Sequence, residues 1–238
     1  MLQENDLNPE VPEGTEYYLP AGSSYRVTPF ELAKGFRLVG SSDGVKPKVI
    51  LDDWWKIAEG SYITSLEFEN IEFQHASNNK YFMNADKSFT LESVSFVNCD
   101  FIGLTRGFWR HQQATGKHIM NFEVEGCRFD KCGWQTGSYG LVDLRSFNDP
   151  TSYDQIDKAV FRNCTFSRDN DGTAGFGWGN LFYAPYVDKP IQLEFKNITI
   201  YNYSLNKRLI NISSAVGSEL TIEGMVLASP SGDLYVAG

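Results

Sequence analysis

Histidine is scarce in this chain, three residues in 238, and cysteine and methionine occur only four times each. No apolar run reaches the roughly 18 residues that a membrane-spanning helix needs. Positive charge is in deficit: 21 Lys and Arg stand against 30 Asp and Glu, a net charge of −9. Nucleic-acid binders present a basic footprint, so that class is excluded. The cysteines Cys99, Cys127, Cys132 and Cys164 form no CxxC pair, which removes the usual zinc-binding patterns. No export signal is legible either. Residues 1–15 are polar and read as a linker or extension ahead of a domain over residues 16–238. An export signal or anchor is expected to have preceded them.

Aromatic residues are plentiful, at 14% of the chain with 17 Phe and 12 Tyr, and hydrophobic residues make up 42%. That supports a substantial core and favours β structure. The aromatics are also repeated. Six segments align without gaps: LEFENIEF from Leu66, VSFVNCDF from Val94, FEVEGCRF from Phe122, AVFRNCTF from Ala159, LEFKNITI from Leu193 and LTIEGMVL from Leu220. A partial copy is FRLVG at Phe36–Gly40. The fifth position is Asn or Gly throughout: Gly40, Asn70, Asn98, Gly126, Asn163, Asn197 and Gly224. These two residues enter left-handed backbone conformation most cheaply. Each copy therefore reads as a strand, a one-residue corner and a second strand, with apolar positions alternating on either side.

A fainter repeat follows each copy: YFMNA from Tyr81, GFWRH from Gly107, LVDLR from Leu141, LFYAP from Leu181, LINIS from Leu209 and LYVAG from Leu234. The corners lie 27 to 37 residues apart. A unit that short cannot bury its own apolar face, whereas stacked units bury a continuous core. The expected fold is all-β, a single-stranded right-handed parallel β-helix of about seven coils. A leucine-rich repeat needs shorter units and Leu three residues before its Asn. A β-sandwich gives no fixed Asn/Gly column.

The opening Tyr18-Leu19-Pro20-Ala21-Gly22, then Tyr25-Arg26-Val27 and Gly35 to Gly40, resembles the start of pectate-lyase-like β-helix proteins. With the Asn corners and the FWRH and LVDLR segments, the chain most resembles uncharacterised β-helix domains of gut-bacterial polysaccharide-utilisation proteins. That resemblance covers the chain from about Tyr17 onward. It implies an exported, surface-attached or periplasmic bacterial protein whose partner is a polysaccharide or oligosaccharide. It does not fix the activity, because one scaffold carries lyases, hydrolases, adhesins and inert repeats.

With Phe82, Phe108, Val142, Phe182 and Ile210 facing inward, alternation puts Met83, Trp109, Asp143, Tyr183 and Asn211 outward, followed by Ala85, His111, Arg145, Pro185 and Ser213. Trp109, His111, Asp143, Arg145, Tyr183 and Asn211 form the expected sugar-binding strip. Flat rings suit pyranose faces, and forked polar groups suit hydroxyls or a carboxylate. On this register Arg110 points inward.

A lyase on the same groove would need a base and a cation. His111, His118 and Lys117 are candidate bases. Arg106, Arg110, Arg145, Lys207 and Arg208 are candidate cations. Of the strip, His111, Arg145 and Asp143 are the candidate catalytic residues. A hydrolase would need clustered carboxylates, but the Asp residues are dispersed. A third reading is a structural or adhesive solenoid that associates through its C-terminal end.

No cofactor is expected. Asp169, Asp171 and Gly172 begin like a calcium loop, but the downstream acidic ligand is missing. Leu51–Gly60 is expected to form a helical turn or cover. Cys99, Cys127 and Cys164 share the sixth repeat position and read as small buried hydrophobes.

Overall fold

The six full copies of the main repeat bend at the fifth residue, whereas Gly40 of the partial copy has no positive φ and ends a strand. In the computed structural model, Asn70, Asn98, Asn163 and Asn197 have φ between 50° and 57°, and Gly126 and Gly224 have φ of 62° and 65°. This left-handed turn swings the chain from one sheet into the next. The structure describes residues 12–28, 31–77, 80–112, 116–133, 140–144, 154–167, 180–184, 189–201, 209–212 and 217–228.

Among the described residues the chain forms strands and no helix. In chain order they are β1 (Thr15–Leu19), β2 (Ser24–Val27), β3 (Glu31–Leu32), β4 (Phe36–Gly40), β5 (Lys48–Leu51), β6 (Lys56–Ile57), β7 (Ser61–Glu69) and β8 (Glu72–His75). Then follow β9 (Tyr81–Ala85), β10 (Phe89–Val97), β11 (Asp100–Ile102), β12 (Gly107–His111), β13 (Lys117–Glu125), β14 (Arg128–Asp130), β15 (Gly140–Asp143) and β16 (Gln155–Arg162). The last are β17 (Thr165–Ser167), β18 (Asn180–Ala184), β19 (Gln192–Lys196), β20 (Thr199–Tyr201), β21 (Ile210–Ile212), β22 (Glu219–Glu223) and β23 (Val226–Ala228).

All of them pair in parallel, each with the strand three places along the chain. The first sheet runs β1-β4-β7-β10-β13-β16-β19-β22 and the second β2-β5-β8-β11-β14-β17-β20-β23. The third runs β9-β12-β15-β18-β21, with β3-β6 as a short pair beside it. Stacked parallel sheets visited in rotation are consistent with a β-solenoid. The first two sheets each hold eight strands, one more than the copies found in the sequence, because Thr15–Leu19 pairs with Phe36–Gly40.

The repeat columns stack as the spacing predicts. Phe73, Phe101, Phe129 and Phe166 lie in successive strands with rings nearly parallel, their centroids 5.4, 4.8 and 4.8 Å apart. Phe68 and Phe96 stack at 4.9 Å, and Phe161 and Phe195 at 5.1 Å. These distances are close to the strand spacing itself, so these rings rest on one another from repeat to repeat. Such pairs contribute about 0.5–1.5 kcal/mol each beyond area burial.

At the corners the asparagine amides also form a ladder. Asn98 Nδ2 donates to Asn70 Oδ1 at 2.8 Å, and Asn197 Nδ2 donates to Asn163 Oδ1 at 3.0 Å. Where Gly126 interrupts the column, Asn163 Nδ2 donates to Glu125 Oε1 at 2.5 Å instead. All four cysteines are buried thiols outside any disulfide. Burial pushes the thiols of Cys132 and Cys164 up to about 12, so they behave as small hydrophobes.

Leu51–Gly60 departs from expectation. It contains no helix: Lys56–Ile57 is a strand, and Trp55 makes a parallel bridge to Met83. Trp55 is buried against Phe36, Phe68 and Phe82, so this segment closes the core as part of the wall.

Candidate functional site

The third sheet carries the candidate residues, and its strands do not alternate simply. Phe82, Met83 and Ala85 all belong to the buried core, as do Leu141, Val142 and Leu144, and Leu181, Phe182 and Ala184. In each strand two consecutive residues face inward, then one faces away, then one faces inward again. A local break in pleat of this kind re-aims the residues that follow it, as a bulge does. The face turned away from the core therefore carries the first and fourth residues of each repeat: Tyr81 and Asn84, Gly107 and Arg110, Gly140 and Asp143, Asn180 and Tyr183, with Asn211 continuing the second column.

This pattern corrects the strip expected from sequence. Trp109 and His111 are turned inward and fully buried. Trp109 packs edge-on against Phe122 at 5.3 Å, and His111 packs edge-on against Phe89 at 5.8 Å. Strict period-2 alternation placed them outward; the doubled inward residue, Phe108 with Trp109, shifts both by one. The gapless alignment of GFWRH with LVDLR is also off by one residue, since Arg110, not Trp109, pairs with Asp143. Arg110 accordingly lies on the outer face, opposite to its expected side. Tyr183 and Asn211 are half-exposed on the expected side, whereas Asp143, although in the same column, is fully buried and so is not on an open strip. Arg145 lies outside the described residues, as do Lys207, Arg208 and the acidic loop with Asp169, Asp171 and Gly172. His118 is on the first sheet, its Nε2 2.9 Å from Asp157 Oδ2.

On the outer face a compact cluster forms around Tyr81. The Arg110 guanidinium lies 5.3 Å from the centre of its ring and that of Arg106 lies 5.4 Å away. Arg110 Nη1 donates to the Tyr81 hydroxyl at 3.1 Å. Burial holds the Tyr81 phenol above its ordinary range, with Asp143 adding to the rise and the two arginines opposing it. The phenol is therefore neutral near pH 7.

Two glycines make room for this layer. A Cβ at Gly107 would lie 2.9 Å from the Tyr81 ring, and one at Gly140 would lie 2.5 Å from Val142 O and 2.9 Å from Tyr183 Cβ. Gly140 N–H in turn donates to Asp143 Oδ2 at 3.2 Å, fixing the carboxylate.

Beside the cluster, Trp54 meets the Tyr81 ring edge-on at 6.3 Å and carries the Lys80 ammonium 4.4 Å over its own ring. Lys80 is also 2.7 Å from Asp53. Burial works to raise the Asp53 carboxyl, but hydrogen bonds from Lys80 and the Trp54 N–H outweigh it and hold the group low. Tyr81, Arg110 and Asp143 are buried, whereas Trp54, Lys80, Arg106 and Tyr183 are half-exposed around them. Cations held over aromatic faces, with an amide and a carboxylate in line, can grip hydroxyls or an anionic group. Trp54 and Lys80 were missed by the sequence reading, because the segment preceding β6 has no counterpart in the later repeats.

No group of His, Cys, Asp and Glu suited to a metal ion occurs among the described residues. Set against protein-family models, curated proteins and solved structures, the chain matches none of them.

Proposed function

We propose that this chain is a carbohydrate-binding protein of a bacterial glycan-utilisation system, acting outside the cell or at its surface. In this reading the parallel strands wind as a right-handed β-helix of seven or eight turns. A polysaccharide lies along the outer face of the third sheet.

One observation carries the reading. The outward column Asn84, Arg110, Asp143, Tyr183, Asn211 is polar or aromatic in every repeat, although the columns on either side of the turn inward are almost wholly apolar. Of that column Tyr183 and Asn211 are half-exposed one strand spacing apart, about 4.8 Å, a spacing that suits an extended repeating ligand, while Asn84, Arg110 and Asp143 are buried. Trp54 and Tyr183 supply half-exposed rings at its margins.

The same face offers one feature in favour of a lyase, namely a neutral phenol hydrogen-bonded to a guanidinium, a pair able to move a proton beside an anion. Screening neutral and acidic polysaccharides for both binding and unsaturated product separates the two. Binding without turnover, weakened about tenfold or more by Trp54→Ala or Tyr183→Ala, is expected, since such rings act as hot spots. Turnover that disappears in Tyr81→Phe would replace the binding module with an enzyme. Silence on every glycan would defeat both readings.

A further inference from the structure

The inward columns of the third and first sheets are apolar except where they meet at one corner. The position occupied by Ala85, Leu144, Ala184 and Ile212 in other repeats holds His111 in β12. The position held by Phe89 in β10 becomes Lys117 in β13. On the next strand His118 pairs with Gln155, so Asp154 is the neighbour of Lys117 one residue earlier in the same register. All three side chains are shut away from solvent: His111 and Asp154 are 0% exposed and Lys117 is 1%.

Their geometry is directed. Lys117 Nζ is 3.6 Å from Asp154 Oδ1, and the backbone N–H of Lys117 donates to that same oxygen at 3.3 Å. His111 Nδ1 faces the other oxygen, Oδ2, at 3.4 Å. Among the described residues neither ring nitrogen of His111 has a hydrogen-bond partner.

We propose that Lys117 and Asp154 condense to an intramolecular isopeptide bond in the folded chain, with His111 as the proton carrier. An ammonium and a carboxylate in a dry interior are costly. Transferring one proton from nitrogen to the carboxyl group turns the ion pair into a neutral amine and a neutral acid, which burial favours. Burial does hold the Lys117 amine below its ordinary range, against the pull of Asp154 and, more weakly, Asp86 and Glu59. A desolvated lysine amine is a competent nucleophile.

The Nζ lone pair then attacks Asp154 Cγ. Charge developing on Oδ1 meets the Lys117 backbone N–H already aimed at it. His111 takes a proton from the attacking nitrogen and delivers it to the hydroxyl at Oδ2. The Cγ–Oδ2 bond breaks, and one water leaves. One amide is formed and nothing is oxidised or reduced. Burial keeps His111 as the neutral imidazole, the form able to accept that proton. The product ties β13 to the strand beside it and closes a loop of the chain with a sequence separation of 37 residues, which contains β15 and its Asp143.

Intact mass under denaturing conditions decides the matter on the natural chain, without any variant. The expected result is a mass short by one water, with a branched proteolytic peptide joining the segments around Lys117 and Asp154. Full mass, or a water loss mapped to another residue, overturns the proposal. Asp154→Asn should exchange the lost water for a lost ammonia, because the same attack expels the amide nitrogen. Lys117→Met should restore full mass. Full mass in Asp154→Asn, in a protein whose native spectrum is retained, would also count against the bond.

Discussion

The asparagine corners put a cost and a benefit on single atoms. A left-handed residue costs roughly 1–2 kcal/mol for most side chains and much less for Asn or Gly. Asn adds an amide that bonds to the next repeat, which Gly cannot. Gly126 has φ of 62°, and a Cβ there would be 3.8 Å from its nearest neighbour, Asn98 N. Gly126→Asn therefore fits both the backbone and the space. It would place an amide between Asn98 and Asn163, and it removes glycine's freedom from the unfolded chain, a gain of about 0.4–1 kcal/mol for compatible sites. Urea denaturation should show a higher midpoint at unchanged slope. Gly224 gives the contrast. Its φ is 65°, but a Cβ would lie 2.6 Å from Asn197 Oδ1, so the same change there should destabilise. If the two substitutions behave alike, the ladder is not a local device.

At the scale of the strand, legibility depends on how much constrains each residue. The main repeat has a fixed corner and alternating Phe, so its strands, register and stacks follow from sequence directly, including the pairing of Phe96 with Phe68 and Val124. The third sheet has no corner residue to anchor it. Its two successive inward residues defeat a period of two, and the alignment slipped by one between β12 and β15. Asp143 and Tyr183 survived that slip, and Trp109, His111 and Arg110 did not. The signal against that register is chemical rather than periodic: it turns the charged Arg110 toward an apolar core, and the structure places it on the opposite face beside Asp143. The difference can be measured. Trp109→Ala should cost about 3–5 kcal/mol of stability, as for a large buried aromatic. In whatever fraction remains folded, glycan affinity should be unaltered. Tyr183→Ala should do the reverse, with little change in the unfolding midpoint and a clear loss of affinity. A Trp109 variant that folds normally and loses binding would restore the outward strip.

Across the whole molecule, acid acts through histidines before carboxylates. Burial lowers both His111 and His75, whose ring nitrogens face Leu51 O at 3.1 Å and Tyr81 O at 2.6 Å. A group whose folded value lies below its unfolded one stabilises fully above the unfolded value, about 6.5 for histidine, and that contribution is lost as pH falls. The thermal unfolding midpoint should therefore fall from neutral pH toward pH ~5, ahead of the carboxylate range near ~4. In that lower range Glu13 and Asp53, both held low, lose their hydrogen bonds. His75→Gln should flatten the first of these slopes. An unchanged slope would place the early acid response elsewhere.

Stability is also unevenly spread along the stack, since a repeat array draws its stability from each unit's contacts with the units on either side of it. Strands β10 and β13 are paired on both sides, and their inward residues are buried. Among the described residues, strands β22 and β23 are the last of their sheets. Leu220, Ile222 and Val226 there are 49%, 47% and 56% exposed, although Leu220 and Ile222 continue the columns of Leu193 and Phe195. Opening should begin at this end and travel inward, with the free energy of opening rising toward β10. Native-state hydrogen exchange followed by peptide mass analysis is expected to show Glu219–Glu223 exchanging first and Phe89–Val97 last. Uniform protection in dilute protein would break the gradient and show that the apolar edge is covered within the chain. Protection that grows with protein concentration would instead identify the cover as a second copy, because only an intermolecular contact responds to mass action.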